Sequence, residues 1–360
     1  MEFIADIGSF LIKATIIVCA IGAVIILIVS AGSGAKGGAE GADGDVHIKK
    51  LNDLIEHDEM TLRAATMPEA AYKRLASDRQ KEAKQKAKAE SKSVAKGDNS
   101  DSAQAGSSNK PRVFITEFEG DIEASGVTSL RRVITTILSV ANPQDEVVLK
   151  LESPGGSVIG YGLAASQLDR ISKAGVTLTV CVDKVAASGG YMMASVADKI
   201  IAAPFAMLGS IGVIFQLPNV HKLLKKADVE YEQITAGEYK RTLTVFAENT
   251  DADRAKTKED VEEIHELFKH HVRSHRPVVD IAKVATGEVW FGSQAVDLKL
   301  VDELSTSDEY ILNKYPDSDL YHISFKKKKS LAEKLGFAAG EGASFAIRRL
   351  LHQIDRMKLR

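Results

Sequence analysis

Apolar residues are spread unevenly along the chain, and their spacing separates an apolar N-terminal segment from a polar region and a core-forming region. Residues 14–30 contain no charge, and with the apolar residues at 10–12 they approach the length of about 20 residues that spans a bilayer core. The pattern predicts a short segment over 1–9 and a transmembrane anchor over 10–30. A cleaved signal peptide is the alternative because residues 29–31 are small, but the charge before the run is not clearly positive.

A long polar region follows the apolar segment. Residues 31–96 are predicted to form a Gly/Ala-rich tether and then charged helices, with a break near Pro68. Within it, residues 73–96 carry nine basic and three acidic side chains, which favours a solvated helical face; attraction to anionic lipid is the alternative. Residues 97–110 contain no core-forming side chain and predict a disordered linker.

From residue 111 onward, short apolar runs alternate with helical spacing. Strand patterns cover residues 113–118, 147–151, 176–182 and 199–203, and helical patterns cover 129–140, 161–174 and 191–196. Alternating strands and helices indicate an α/β domain with a mostly parallel sheet covered on both faces, here over residues 111–312. The apolar stretch 176–215 is interrupted by charges and glycines, so we interpret it as core and not as a second membrane span.

Charge and cysteine content exclude several classes of function. The 360 residues have a net charge of -2, which gives no indication of nucleic-acid binding. Cys19 and Cys181 lie on two very different elements, so we expect neither a disulfide nor a zinc site from them. No cofactor or metal is predicted.

Two glycine-rich turns follow buried strands and carry the candidate chemistry. The first is Ser-Pro-Gly-Gly over 153–156, where Gly155 and Gly156 allow backbone amides to approach a ligand closely. The second contains Ser188, which stands between a strand and a helix and is followed by Gly189. A serine at this position suits a helix N-cap, and it equally suits a nucleophile beside oxyanion donors.

A serine nucleophile needs a base, and the sequence offers no evident histidine. The later histidines, at 265, 270, 271 and 275, fall on a charged helical stretch, and we interpret them as surface residues. Lys184 is on the strand before Ser188 and is expected to point away from its hydroxyl. Lys240 lies between a glycine and an apolar run that could desolvate it, although the residues alone also fit a surface lysine.

Four motifs occur in a characteristic order: SPGG (153–156), AASGGY (186–191), LGSIGV (208–213) and GEYKR (237–241). Together they resemble the signal peptide peptidase A family, peptidase family S49, and the N-terminal half looks like the SohB branch. The resemblance implies that Ser188 is the nucleophile, that Lys240 is the general base and that Ser210 holds the lysine amine. It also implies an oxyanion hole formed by Gly189, Gly155 and Gly156.

The resemblance also implies a fold and a setting. The expected fold is the ClpP/crotonase-like spiral of ββα repeats, preceded by the anchor and the charged helical segment. Relatives assemble into rings or domes in which one site draws its serine and lysine from neighbouring subunits, so a homo-oligomer is expected. The expected location is the bacterial inner membrane with the catalytic domain in the periplasm, although the charges flanking the anchor do not decide its orientation.

The function implied is a serine endopeptidase that cleaves signal-peptide remnants or membrane-associated proteins through an acyl-enzyme. Two alternatives stay open from the sequence: a crotonase-like acyl-CoA enzyme and a non-catalytic membrane scaffold. Residues 313–360 are predicted to form a basic amphipathic tail that begins near the four lysines at 326–329. Such a tail fits an anionic membrane surface and a partner subunit equally well.

Overall fold

The computed structural model describes residues 44–95 and 110–327, nearly all of which belong to one compact unit, Val46–Phe325. The predicted anchor over 10–30 lies outside these residues, as do nearly all of the tether and linker and the tail beyond residue 327. Within the two described ranges, no helix combines the length and the apolar character needed to cross a bilayer.

A large, mostly parallel sheet forms the centre of the unit. In their order across the sheet, its strands among the described residues are β1 (Gly44–Lys50), β10 (Asp319–Lys327), β2 (Arg112–Glu119), β3 (Glu146–Glu152), β4 (Thr177–Val182), β6 (Lys199–Ala202) and β9 (Glu303–Leu304). Every neighbouring pair from β10 to β9 is parallel. The four strands predicted as apolar runs are β2, β3, β4 and β6, which confirms those predictions. Strands of a parallel sheet are buried on both faces, so they read as continuous apolar runs.

A second, smaller sheet lies beside the first and was not predicted. It has the order β5 (Val185–Ala187), β7 (Met207–Gly209) and β8 (Val289–Phe291). Strands β5 and β7 are parallel, whereas β7 and β8 are antiparallel. Each strand has three residues, which is too short for an alternating pattern to appear in the sequence.

Helices cover the sheets and connect the strands. They are α1 (Leu51–Thr66), α2 (Glu69–Ala95), α3 (Val127–Leu138), α4 (Val158–Lys173), α5 (Gly189–Ala194), α6 (His221–Lys226), α7 (Asp251–His275), α8 (Ile281–Val284), α9 (Gly292–Asp297) and α10 (Ser307–Lys314). The break predicted near Pro68 is confirmed by the gap between α1 and α2. Helix α4 ends just before Gly175, whose φ of 74° is the left-handed conformation typical of a helix C-terminus.

Two segments outside the predicted α/β region also take part in this unit. Strand β10 pairs with β2, so part of the segment 313–360 belongs to the large sheet. At the start of α1, the side chain of Asn52 accepts a hydrogen bond from the Leu320 amide at 2.7 Å and donates one to the Ser318 carbonyl at 3.0 Å. These contacts tie the charged N-terminal region to β10.

Candidate active site

Ser188 lies in a strained turn between β5 and α5. Its φ is 51° and its ψ is −119°, a conformation that non-glycine residues seldom adopt and that costs on the order of 1–3 kcal/mol. Two backbone hydrogen bonds hold it there: the Ser188 amide donates to the Gly209 carbonyl at 2.8 Å, and the Met192 amide donates to the Ser188 carbonyl at 2.9 Å. The turn is therefore maintained by strand β7 and helix α5 and not by the serine side chain.

The Ser188 hydroxyl is left available for chemistry. Although Ser188 occupies the N-cap position of α5, its side chain makes no capping hydrogen bond. Among the hydrogen bonds of residues 44–95 and 110–327, none uses this hydroxyl, and the residue is partly exposed. The N-cap interpretation of this serine is thus not supported by its geometry.

The Ser-Pro-Gly-Gly turn lies directly against the Ser188 turn. The Ser153 amide donates to the Val185 carbonyl at 2.8 Å, and the Ala187 amide donates to the Ser153 carbonyl at 3.0 Å. Gly155 has a φ of 90°, and a Cβ atom there would lie 2.7 Å from the Cβ of Ser188. Only glycine fits where the two turns approach this closely, because it has no Cβ and tolerates positive φ.

The three predicted oxyanion glycines differ in the state of their amides. The Gly155 amide is occupied, since it donates to the hydroxyl of Ser153 at 3.1 Å. The amides of Gly156 and Gly189 have no acceptor among the described residues, and both glycines line the cavity next to Ser188. Gly156 and Gly189 therefore have amides that are available to a ligand, and Gly155 provides the close approach.

The cavity beside Ser188 is small and apolar. Its volume is about 70 Å³, and besides Ser188 and glycines it is lined by Val158, Met192, Val213, Ile214, Ile264 and Phe268. A cleft of about 220 Å³ lies near the ends of β2 and β3, and one of about 320 Å³ lies between β2, α3 and β10; Ser188 lines neither of them. The free hydroxyl and the free amides, and not cavity size, indicate where the chemistry lies. A cavity of this volume and lining fits a small or apolar side chain.

Ser210 lies one residue beyond the carbonyl that holds Ser188. Its φ is 52°, and its amide donates to the Glu288 carbonyl at 2.6 Å. The preceding Gly209 has a φ of 103°, and a Cβ atom there would lie 2.7 Å from the Trp290 ring. Strands β5 and β7 are parallel with Ala187 opposite Gly209, so Ser188 and Ser210 follow the same end of the small sheet.

Lys240 is not brought to Ser188 within one chain. It is exposed, and it is absent from the residues that line the Ser188 cavity. Its amide donates to the Gly237 carbonyl at 3.2 Å, but its side chain forms no hydrogen bond or ion pair with any described residue. Lys184 instead pairs with Glu152 at 2.8 Å, in agreement with the expectation that it points away from Ser188.

Two histidines that we interpreted as surface residues contact the site from α7, and that interpretation was wrong. His265 Nε2 lies 3.2 Å from the Ile211 carbonyl, and His271 Nε2 lies 3.0 Å from the Met192 carbonyl. Each nitrogen must donate, because a carbonyl only accepts. Burial lowers the pKa of His271, against an opposing effect of the hydrogen bond to Met192.

The sequence contained a signal for this inward face of α7. Phe268 and Val272 are buried, and both histidines lie three residues from Phe268 on the same side of the helix. The surrounding charges on the other faces obscured this pattern. Neither histidine touches the Ser188 hydroxyl, and among the described residues no histidine pairs with Ser188.

Comparisons with known proteins bear on the family of the chain. A family model described as peptidase family S49 N-terminal matches residues 2–168, and one described as peptidase family S49 matches residues 170–320. The chain is 46% identical to a probable protease SohB from Haemophilus influenzae, over 97% of this chain and 96% of that protein. It is 50% identical to a probable protease SohB from Buchnera aphidicola, over 63% of this chain and 67% of that protein.

Among solved structures, a membrane-bound stomatin-specific protease, 1510-N, is similar at 14% identity and a TM-score of 0.39. The similarity covers 63% of this chain and 97% of that chain. The family assignment rests on the sequence identity and coverage of these relatives and on the family models, because both halves of the chain match the same family. The chain belongs to peptidase family S49, a family of proteases.

Proposed function

We propose that this protein is a membrane-anchored serine endopeptidase in which Ser188 is the nucleophile and Lys240 is the general base. The observation that carries the proposal is the Ser188 turn, where strained backbone presents a hydroxyl without a hydrogen-bond partner among the described residues. The free amides of Gly156 and Gly189 lie beside the same apolar cavity. A nucleophile, two oxyanion donors and a side-chain cavity are the parts that acyl transfer needs.

In the proposed reaction, the Ser188 oxygen attacks the carbonyl carbon of the scissile peptide bond. The Lys240 amine takes the hydroxyl proton, and the amides of Gly156 and Gly189 hydrogen-bond the oxyanion. The lysine then donates the proton to the leaving amine, so the peptide C–N bond breaks and an acyl-enzyme remains. Water attacks the ester with the same lysine as base, which releases the acid and restores Ser188.

The exposed position of Lys240 in one chain fits a site that is completed by a second chain. The family resemblance implies assemblies in which serine and lysine come from neighbouring subunits. We propose that Lys240 approaches Ser188 of an adjacent subunit, where burial in the interface would lower its pKa and leave it neutral. Ser210, one residue from the backbone that supports Ser188, would then hold the lysine amine.

The fold proposal is the ClpP/crotonase-like spiral. Strands β4 and β5 with α5 form one strand–strand–helix unit, and β6 and β7 repeat the strand pair. Strand β6 is parallel to β4 in the large sheet, and β7 is parallel to β5 in the small sheet, as expected for successive turns of a spiral.

The substrate and the location are also proposals. A small apolar cavity favours small or apolar side chains near the cleaved bond, which signal-peptide remnants and membrane-associated proteins supply. The apolar run over 10–30 would anchor the chain in the bacterial inner membrane, with the catalytic unit in the periplasm.

The test uses the full chain in detergent micelles with a fluorogenic peptide and a fluorophosphonate probe. Turnover and labelling should both be lost in Ser188→Ala, and turnover should be lost in Lys240→Ala. Lys184→Ala is the matched control, since this lysine is paired with Glu152 and should be dispensable. Retained turnover in purified Ser188→Ala or Lys240→Ala would refute the dyad.

A mixing experiment tests the contribution of two chains. Ser188→Ala and Lys240→Ala are each expected to be inactive alone but to recover part of the turnover when they are co-expressed and purified as mixed oligomers. Each mixed interface can combine the intact serine of one chain with the intact lysine of the other. Inactivity of verified mixed oligomers would show that both residues must come from the same chain.

A further inference from the structure

Two buried hydroxyl groups lie directly behind the Ser-Pro-Gly-Gly turn. Ser153 and Tyr161 are both fully buried, and their hydroxyl oxygens are 2.6 Å apart. Burial raises the pKa of Tyr161, so its hydroxyl carries a proton at neutral pH. Burying two hydroxyl groups in an apolar core costs free energy unless each hydroxyl proton is donated to an acceptor.

The direction of each hydrogen bond follows from the acceptors. The Tyr161 oxygen lies 2.8 Å from the Asp121 carbonyl, which can only accept, so Tyr161 donates its single proton there. Ser153 must then donate its proton to Tyr161. The Ser153 oxygen in turn accepts from the Gly155 amide at 3.1 Å. A directed series therefore runs from Gly155 through Ser153 and Tyr161 to Asp121, and it uses every proton once.

The ring of Tyr161 contacts the other half of the site. A Cβ atom at Gly189 would lie 2.3 Å from the Tyr161 Cγ, so the Gly189 backbone rests directly on the ring. One side chain thus touches the Ser188 turn through its ring and the Ser-Pro-Gly-Gly turn through its hydroxyl. The spacing between the Gly156 and Gly189 amides depends on this contact.

We propose that Ser153 and Tyr161 are positioning residues that set the geometry of the oxyanion hole. By occupying the Gly155 amide, they leave the next amide, that of Gly156, directed at the substrate. This inference rests on the proposed function, because it assigns a role within the same site. The backbone hydrogen bonds between Ser153 and β5 do not involve the hydroxyl, so its removal should loosen the turn without detaching it.

The test measures kcat, KM and the rate of fluorophosphonate labelling for Ser153→Ala, Tyr161→Phe and the double variant. Loss of an oxyanion donor costs about 10²–10³-fold in kcat, so a displaced donor should cost on the order of 10–100-fold, with KM changed by less than about threefold. Because both hydroxyls act in one series, the double variant should lose no more than the worse single variant. Ser153→Cys keeps the size and a weak donor and should fall in between.

Matched control variants distinguish an effect on the geometry of the oxyanion hole from a general loss of folding stability. Ser307 is fully buried and donates to Asp183 at 2.5 Å, and Tyr310 donates to Glu146 at 2.6 Å. Neither lies at the Ser188 turn, so Ser307→Ala and Tyr310→Phe should lower the melting temperature and leave kcat unchanged.

Two outcomes would overturn the inference. One is an unchanged kcat in the folded Tyr161→Phe and Ser153→Cys proteins, and the other is a double variant whose loss is the product of the two single losses. These results are distinguishable from failure of the proposed function. An active Ser188→Ala protein refutes the peptidase mechanism itself, whereas an inactive Ser188→Ala protein with normal Ser153 and Tyr161 variants refutes only the positioning role.

Discussion

Replacement of Gly155 by alanine tests the close approach of the two glycine-rich turns. The new Cβ would lie 2.7 Å from the Ala187 carbonyl oxygen and the Ser188 Cβ, and 2.9 Å from the Gly189 nitrogen. Ordinary contacts between carbon atoms are about 3.5–4.0 Å, so the two turns must separate by roughly 1 Å. The displaced atoms belong to the proposed nucleophile and to a proposed oxyanion donor, so both stability and reactivity should decrease.

The expected loss of stability has three parts. The left-handed conformation costs alanine about 1–2 kcal/mol, and crowding of a packed site costs about 1–3 kcal/mol. Alanine also restricts the unfolded chain more than glycine does, which stabilises the folded protein by about 0.4–1 kcal/mol. The free energy of unfolding should therefore fall by about 1–5 kcal/mol.

Two other glycines distinguish the contribution of backbone conformation to this loss of stability from the contribution of crowding. Gly175 has a φ of 74° and open space where a Cβ atom would lie, so Gly175→Ala meets the backbone cost without crowding and should lose about 1 kcal/mol or less. Gly162 lies within α4 with open space and an ordinary φ, so Gly162→Ala should gain about 0.5–1 kcal/mol. The difference between Gly155→Ala and Gly175→Ala isolates the contact with Ser188.

Urea unfolding of the three variants can be followed by the fluorescence of Trp290, the single tryptophan in the sequence. Fluorophosphonate labelling of Ser188 provides the second measurement, and it should slow only in Gly155→Ala. If Gly155→Ala unfolds at the same urea concentration as Gly175→Ala and labels at the native rate, the close approach of the two turns is wrong.

Three further substitutions test other parts of the structure. The pKa of His271 lies below its ordinary value of 6.5 because the ring is buried. Below pH 6.5 the unfolded chain therefore binds more protons than the folded protein, and the free energy of unfolding falls as the pH is lowered. His271→Gln should lose this part of the pH dependence, which urea unfolding at pH 7.5 and 5.5 measures. Thr250 caps α7 by accepting from the Asp253 amide at 3.2 Å, and Thr250→Ala should lower the urea midpoint by an amount equivalent to about 1 kcal/mol. Arg276 is 5% exposed and pairs with Asp302 at 2.8 Å, so Arg276→Met should cost about 3 kcal/mol, and a change below about 1 kcal/mol would contradict a buried ion pair.

The local pattern of apolar residues was sufficient to predict the central strands of the large sheet. Residues 147–151 are apolar almost throughout because β3 is buried on both faces, and the same holds for β4. The two glycine-rich turns were recognisable because each follows such a strand. Ser188 and its glycine neighbours could therefore be named as a candidate site before their positions were known.

The contacts between distant segments depended on the tertiary structure. Strand β10 was missed because its mixed polar sequence becomes a strand only through pairing with β2, and the three-residue strands of the small sheet have no periodicity of their own. The inward histidines of α7 were missed because charged residues surround them in sequence.

The sequence by itself determined the four central strands of the large sheet, the family motifs and the residues that carry the candidate chemistry, because buried strands and tight turns restrict the residue types that can occupy them. Only the tertiary structure decided that the Gly155 amide is occupied and that the Gly156 and Gly189 amides have no acceptor among the described residues. It likewise showed that Tyr161 contacts both turns. It also placed Lys240 on the surface of the single chain. These are properties of atoms that lie far apart in sequence and meet only through packing, so no local pattern encodes them.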